Sequence, residues 1–365
     1  MDKSKLYSIR EELHSIPEPA GSELKTAALI YSYLEQFNPD KIIRGVGGHG
    51  LIAIFKGNRP GRNLLFRCEL DAVPGGDSAK HLCGHDGHMT IMLDLASELT
   101  SGNFSGSVSL LFQPAEENGS GASKVVEYMI KEHLSYDYAF ALHNNPNYKE
   151  STLILTEGIY APASVGLELL YKGKCSHAAW PEKAINPMSA IIETISSIEY
   201  IVSSKELFSD FVMATVVNVE LGENNFGVTP GNGALRVTLR ANQDFDLANL
   251  DRMIVERADE LASIAGSGLE INRYDYFPAT LNSPYLNRIV SEIAINSGVS
   301  TIFSKKPSRG SDDFSHFRRV ADTLFFDIGN GIGPDIHEPD YIFNDSIIKG
   351  ASGLMLSVIR YFSQE

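Results

Sequence analysis

Apolar residues recur at helical spacing over residues 3–14 and 21–37, where Leu29, Ile30, Tyr33 and Leu34 share one stripe, and this pattern predicts two amphipathic helices. Two strand-like blocks follow, LIAIFKG (51–57) and NLLFRCEL (63–70). A helix over about 87–99, a strand at SVSLLFQ (107–113), a helix near 121–132 and a strand at YAFALH (138–143) continue the alternation. Alternating helices and strands predict an α/β fold, here a mixed sheet with helices on both faces.

The texture changes after residue 160. Two β-rich stretches, ASVGLELLYKG (163–173) and FVMATVVNVELG with GALRVTLRANQ (211–243), flank a helix at about 186–203; a helix at about 246–265 and a strand at SGLEINRYDYF (267–277) follow. The order strand–helix–strand–strand–helix–strand predicts helices layered on one sheet, an α+β domain inserted over 163–277. From about 280 the helix and strand alternation resumes, so residues 1–162 and 278–365 are expected to form one domain around the insertion. No internal repeat interrupts this plan.

The chain's 365 residues suit such a two-domain arrangement, and 43% apolar content is that of a globular protein. A formal charge of −15 opposes binding to phosphate backbones and anionic membrane surfaces, so neither nucleic acid nor membrane is expected as a partner. The amino terminus, MDKSKLYSIREELHSIPEP, has no apolar signal core, which makes the cytoplasm the default compartment. Three cysteines, Cys68, Cys83 and Cys175, are too few and odd for a disulfide framework and are expected as reduced thiols.

Candidate chemistry concentrates in RCELDAVPGGDSAKHLCGHDGHMT (67–90), which places Cys83, His85, Asp86 and His88 between a strand and a helix. Thiolate and imidazole together favour zinc or another transition metal over calcium or magnesium. In LFQPAEENG (111–119) an apolar strand runs into Glu116 and Glu117 at its expected carboxyl end, where α/β sheets place active sites. One of the two carboxylates can bind metal while its neighbour faces a bound water as general base. His143 ends the strand in YAFALHNNP (138–146), and His337 lies in the Gly/Pro-rich GNGIGPDIHEPDY (329–341). Cys, His, Glu, His and His suffice for two ions if one ligand or a water bridges them.

The ordered segments IREELHSIPEP (9–19), ELDAVP (69–74), HLCGHDGH (81–88), LFQPAEENGSGA (111–122), ALHNNP (141–146), GKCSHAAWPEKAINPMSA (173–190), TLRA (238–241), GSDDFSHF (310–317) and IHEPDY (336–341) span nearly the whole chain. Together they resemble the dinuclear metal amidohydrolases of the aminoacylase and carboxypeptidase type, in particular the branch of hippurate hydrolases, N-acyl-amino-acid amidohydrolases and auxin-conjugate hydrolases. The resemblance implies that Cys83, His85, Glu117, His143 and His337 are metal ligands and Glu116 the catalytic base. It also implies that the insertion is a lid that mediates dimerisation, with His177 polarising the substrate carbonyl. Arg240, in TLRA, is a candidate anchor for a substrate carboxylate, and Asp71 and Asp86 are expected to orient ligands.

The expected cofactors are two divalent ions, Zn2+ or Mn2+, with Co2+ or Ni2+ as in vitro substitutes, and the expected substrate is a small N-acyl amino acid or peptide-like molecule. Asn145 stands where the family usually has an aromatic residue, Ser176 follows Cys175 before the lid histidine, and NNFGVTPG (224–231) only partly matches the lid pattern; these departures bear on substrate specificity. Two alternatives stay open. A dipeptidase or aminopeptidase of the same architecture would need an acidic pocket for a free α-amine. Against a catalytically silent metal-binding protein stands the retention of Glu116 beside Glu117.

Overall fold

The structure, a computed structural model, describes residues 1–75 and 78–364. The chain divides into two compact units, one of Met1–Tyr160, Thr280–Pro307 and Asp312–Glu365, the other of Ala161–Ala279 with Ser308–Ser311. In the first, helix α1 (Lys3–His14) buries Leu6, Ile9 and Leu13, and helix α2 (Leu24–Gln36) buries Ile30, Tyr33 and Leu34. Asp2 starts α1 by accepting a hydrogen bond from the Lys5 N–H, an N-cap that satisfies an amide the helix leaves free. Strands β1 (Lys41–Val46), β2 (Gly50–Lys56) and β3 (Arg59–Glu69) follow, then the short pair β4 (Val73–Gly75) and β5 (Ser78–Lys80). Helix α3 (His85–Leu99), strand β6 (Ser105–Gln113), helix α4 (Gly121–Lys131) and strands β7 (Tyr138–Asn145), β8 (Leu153–Thr156) and β9 (Ile159–Ala161) complete the first passage.

The second unit runs β10 (Ala163–Lys172), α5 (Met188–Ser203), β11 (Val212–Leu221), β12 (Asn232–Ala241), α6 (Asp244–Ile264) and β13 (Gly268–Phe277). Its strands pair antiparallel in the order β11-β12-β10-β13. Alternate residues of β10 and β12, among them Leu167, Leu169, Val237 and Leu239, pack with Ile191, Ile198, Leu250 and Ile254 of the two helices in one core. This is the expected α+β layer.

The chain then adds β14 (Thr280–Leu281), α7 (Pro284–Asn296), β15 (Thr301–Ser304), β16 (Asp322–Gly329) and α8 (Ile348–Phe362). The large sheet of the first unit has the order β1-β2-β6-β3-β7-β16-β8-β15 and is mixed: β6, β3, β7 and β16 are mutually parallel neighbours, whereas β2 joins β6 and β8 joins β16 antiparallel. Leu64, Phe66, Cys68 and Leu70 point into the core formed with α1, α3, α7 and α8. The alternate residues Leu65, Arg67 and Glu69 point to the opposite face, where α4 and the 3-10 segment Asp313–Arg319 pack. Helices therefore cover both faces, as the alternation predicts. Among the described residues no helix is long and apolar enough to cross a membrane.

Candidate metal centre

The four parallel strands end together, and their ends carry a polar row. Register places Gln113 of β6 beside Glu69 of β3, and His143 of β7 beside Asp327 of β16. Loops leaving these strands bring the other candidate residues to the same end of the sheet. Helix α3 begins at His85, two residues earlier than the apolar pattern predicts, because Gly84 takes the left-handed conformation (φ +87°) that turns the chain into the helix. Cys83 and His85 thus flank a sharp turn and converge.

Strand β6 gives way at Pro114 to a tight turn holding Glu116 and Glu117. Ala115 has φ +53°, Gly119 donates from its N–H to the Glu116 carbonyl (2.8 Å), and Gly121 donates to the Ala115 carbonyl (3.0 Å). A Cβ at Gly121 would lie 1.7 Å from the Pro114 carbonyl oxygen, so the turn closes only on glycine there. His337, at φ +67°, is tied to the Cys83 loop by its N–H donating to the Leu82 carbonyl at 2.8 Å.

The side-chain donors of Cys83, His85 and His143 form one group, those of Cys83, Glu117 and His337 a second, and those of His85, Glu116 and Glu117 a third, each with its atoms within 4.8 Å of one another. Shared members merge the three groups into one cluster. Cys83 Sγ lies 3.3 Å from His143 Nε2, His85 Nε2 is 3.8 Å from Glu117 Oε1, and His337 Nε2 is 3.6 Å from Glu117 Oε2. His85 Nδ1 is 2.8 Å from the Asp71 carbonyl and His143 Nδ1 is 2.8 Å from the Asn144 carbonyl. An acceptor at each Nδ1 fixes the proton there and leaves both Nε2 lone pairs facing the cluster.

Electrostatics in the cluster follow from burial. Burial pushes the Cys83 thiol well up, helped by Glu117 and Glu116, while burial lowers His143 to about 3 and His85 below its usual value. Burial also opposes ionisation of Glu117, but the hydrogen bond from His337 and the field of His85 overcome it and hold its carboxyl below the ordinary range. Glu116 goes the other way: burial, then Asp312 and Glu117, push it well up. The two neighbours therefore have opposite proton affinities, as a ligand and a proton acceptor would need.

Asp71 lies under the cluster, its Oδ2 accepting from the Glu117 N–H at 2.9 Å as its carbonyl receives His85. Asp86, expected to orient a ligand, does not. Adjacent helical residues diverge by about 100°, so Asp86 turns to α1, where Oδ2 lies 2.6 Å from His14 Nδ1 and 3.5 Å from Arg10. His177 and Arg240 belong to the second unit. His177 is exposed, its Nδ1 accepting from the Ala179 N–H and its ring 5.1 Å from that of Trp180. Half-buried Arg240 donates to Ser311 Oγ at 2.7 Å and has no ion-pair partner among the described residues, so burial alone lowers its pKa.

The profile of peptidase family M20/M25/M40 matches residues 65–361. The chain belongs to this family. It is 26% identical over 357 residues to a hippurate hydrolase of Campylobacter jejuni, covering 94% of this chain and 93% of that protein. It is 26% identical over 362 residues to an N-acetylcysteine deacetylase of Bacillus subtilis, covering 96% and 94%. The crystal structure of the Bacillus subtilis YXEP protein, described as a dinuclear metal binding peptidase of the M20 family, superposes with a TM-score of 0.82 at 24% identity over 99% of this chain and 98% of that one.

One group of residues behind the cluster has no role in the sequence reading. The fully buried guanidinium of Arg67 pairs with Glu69, Asp312 (3.1 Å) and Asp313 (2.8 Å), and its Nε donates to Gln113 Oε1 at 2.9 Å. Asp313 accepts from the Ala122 N–H at 2.8 Å and so ties the first turn of α4, just after the acidic turn, to the same group. Burial pushes Asp312 up to about 7 even beside Arg67. The signal lay in RCELDA and GSDDFSHF, both legible as motifs but 245 residues apart.

Proposed function

We propose that this member of the M20/M25/M40 family is a metal-dependent amidohydrolase that cleaves the amide bond of N-acyl amino acids, using two divalent ions, Zn2+ or Mn2+. The observation that carries the reading is the merged donor cluster of Cys83, His85, Glu117, His143 and His337 with Glu116 beside it. The donors fit metal: Glu117 Oε1 is buried without a hydrogen-bond partner among the described residues, both Nε2 atoms face inward, and a thiol pushed up among carboxylates becomes a thiolate only beside a cation. Those five residues would hold the ions. When bound, the ions supply an acidified water and polarise the scissile carbonyl.

The remaining steps belong to the chain. Glu116, whose surroundings favour the protonated carboxyl, takes a proton from the attacking water and returns it to the leaving amine. Asp71 holds His85 and the backbone of Glu117 in place while this happens. Arg240, half-buried with no carboxylate partner among the described residues, suits the free carboxylate of an amino-acid product, and the exposed His177 suits the scissile carbonyl. The second unit is proposed as a lid that pairs with its twin. Strand β11 supports this, lying at the sheet edge with Val217 and Val219 exposed. Three unpaired cysteines favour a reducing compartment such as the cytoplasm.

A panel of N-acetyl and N-benzoyl amino acids against free-amine dipeptides tests the substrate class. Under this proposal the acylated substrates are expected to show kcat/KM about 100-fold or more above their free-amine counterparts. Equal or reversed preference would assign a dipeptidase or aminopeptidase instead.

A further inference from the structure

We propose that Asn144, locked by His88 and Tyr341, is the positioning residue that sets the ligand cluster before any ion arrives. The inference rests on the metal reading of the site. Asn144 is 1% exposed, and both side-chain atoms have a partner within hydrogen-bond distance. His88 Nε2 lies 2.7 Å from the side-chain Oδ1 and 3.2 Å from the backbone N, and serves one of the two at a time, while the other ring nitrogen lies 2.8 Å from Glu69. The Asn144 Nδ2 donates to Tyr341 Oη at 2.6 Å.

Each partner stands next to a ligand. Tyr341 lies on the His337 loop, four residues on; His88 lies on the first turn of α3 with His85; and the Asn144 carbonyl is the acceptor that fixes the His143 tautomer. The Cys83–Gly84–His85 turn wraps the same pair, because a Cβ at Gly84 would stand 2.2 Å from Asn144 Oδ1 and 2.6 Å from Tyr341 Oη. The side-chain amide therefore touches the segments carrying Cys83, His85 and His337, and the backbone of the same residue follows His143 directly. Moving it would shift all of these segments at once.

The test uses Asn144→Ala and Tyr341→Phe, the second removing a single oxygen should the first fail to fold. Mn2+ affinity is measured by competition with a chelator, and the placement of the His85 and His143 rings by imidazole nitrogen NMR of the metal-free protein. Expected are a 10–100-fold weaker Mn2+ affinity, the range for lost ligand-orienting partners, displaced ring-nitrogen shifts of His85 and His143 in metal-free Asn144→Ala although the backbone carbonyl facing His143 Nδ1 is retained, and an unchanged KM at saturating Mn2+. Variants that bind Mn2+ as tightly as wild type would overturn the proposal. Wild type that binds no ion would refute the metal reading instead, and unmoved His85 and His143 ring-nitrogen shifts in metal-free Asn144→Ala would then still overturn this inference.

Discussion

Glu116→Gln is expected to lower turnover by roughly 10²–10⁴-fold, the range for a lost general base, while metal content stays at the wild-type level. The two halves of the result have separate causes. The five proposed ligands are untouched, and glutamine keeps the shape of a side chain that is 6% exposed and has little room to change. What disappears is the ability to take and return a proton at a carboxyl that burial, Asp312 and Glu117 have raised. Glu117→Gln is the control, since it removes a charged donor and should cost metal and activity together. Steady-state kinetics paired with elemental analysis separates the two, and a metallated Glu116→Gln with near-wild-type turnover would discard Glu116 as the base.

Arg67→Met is expected to destabilise the fold by about 3–5 kcal/mol at pH 8, the cost of leaving buried charges without their partner. Glu69, Asp312 and Asp313 would then face one another with no cation among them. The sign of the pH dependence follows from Asp312. Its folded pKa, raised by burial to about 7, exceeds the ordinary aspartate value of 3.8, so the folded state binds more protons between those limits and stability falls as pH rises through the window. Removing Arg67 raises the carboxyls further. The stability difference from wild type should therefore be larger at pH 8 than at pH 5, as read by urea unfolding; a difference that is absent or grows toward acid pH would contradict the assignment.

Hydrophobic periodicity made most of this fold legible. Helices α1 and α2 and strands β3, β6 and β7 lie within a few residues of where the apolar pattern puts them, because each buries a stripe or alternate face that the sequence displays. Strand β1 was not legible. Its KIIRGV sequence lies at the sheet edge with most residues exposed or half-buried, so pairing with β2 rather than burial defines it. The start of α3 was blurred for the opposite reason: His85, Asp86 and His88 are polar yet buried, and the helix is covered all around.

At the site, strand ends and residue types pointed to Cys83, His85, Glu116, Glu117, His143 and His337, and the fold gathers these six. Adjacency implied different roles for Glu116 and Glu117, but which is ligand and which is base came from family resemblance; burial raises Glu116 with Asp312 and Glu117 adding to it, whereas His337 and His85 hold Glu117 down, and Asp312 and His337 are distant in sequence. Asp86 shows the converse. A place beside His85 in the chain says nothing of direction, and the helix turned it to His14. The Arg67 group needed segments 245 residues apart to meet, which no local pattern encodes.

The central claim, that Cys83, His85, Glu117, His143 and His337 form one centre for two ions, is tested most directly by metal stoichiometry. Protein stripped with chelator, reconstituted with Zn2+ or Mn2+ and freed of excess ion is expected to hold about two ions per chain, and Cys83→Ala, which deletes a donor shared by two of the groups, to hold at most one. Reconstituted wild type without stoichiometric metal, or Cys83→Ala with the full complement, would contradict the account.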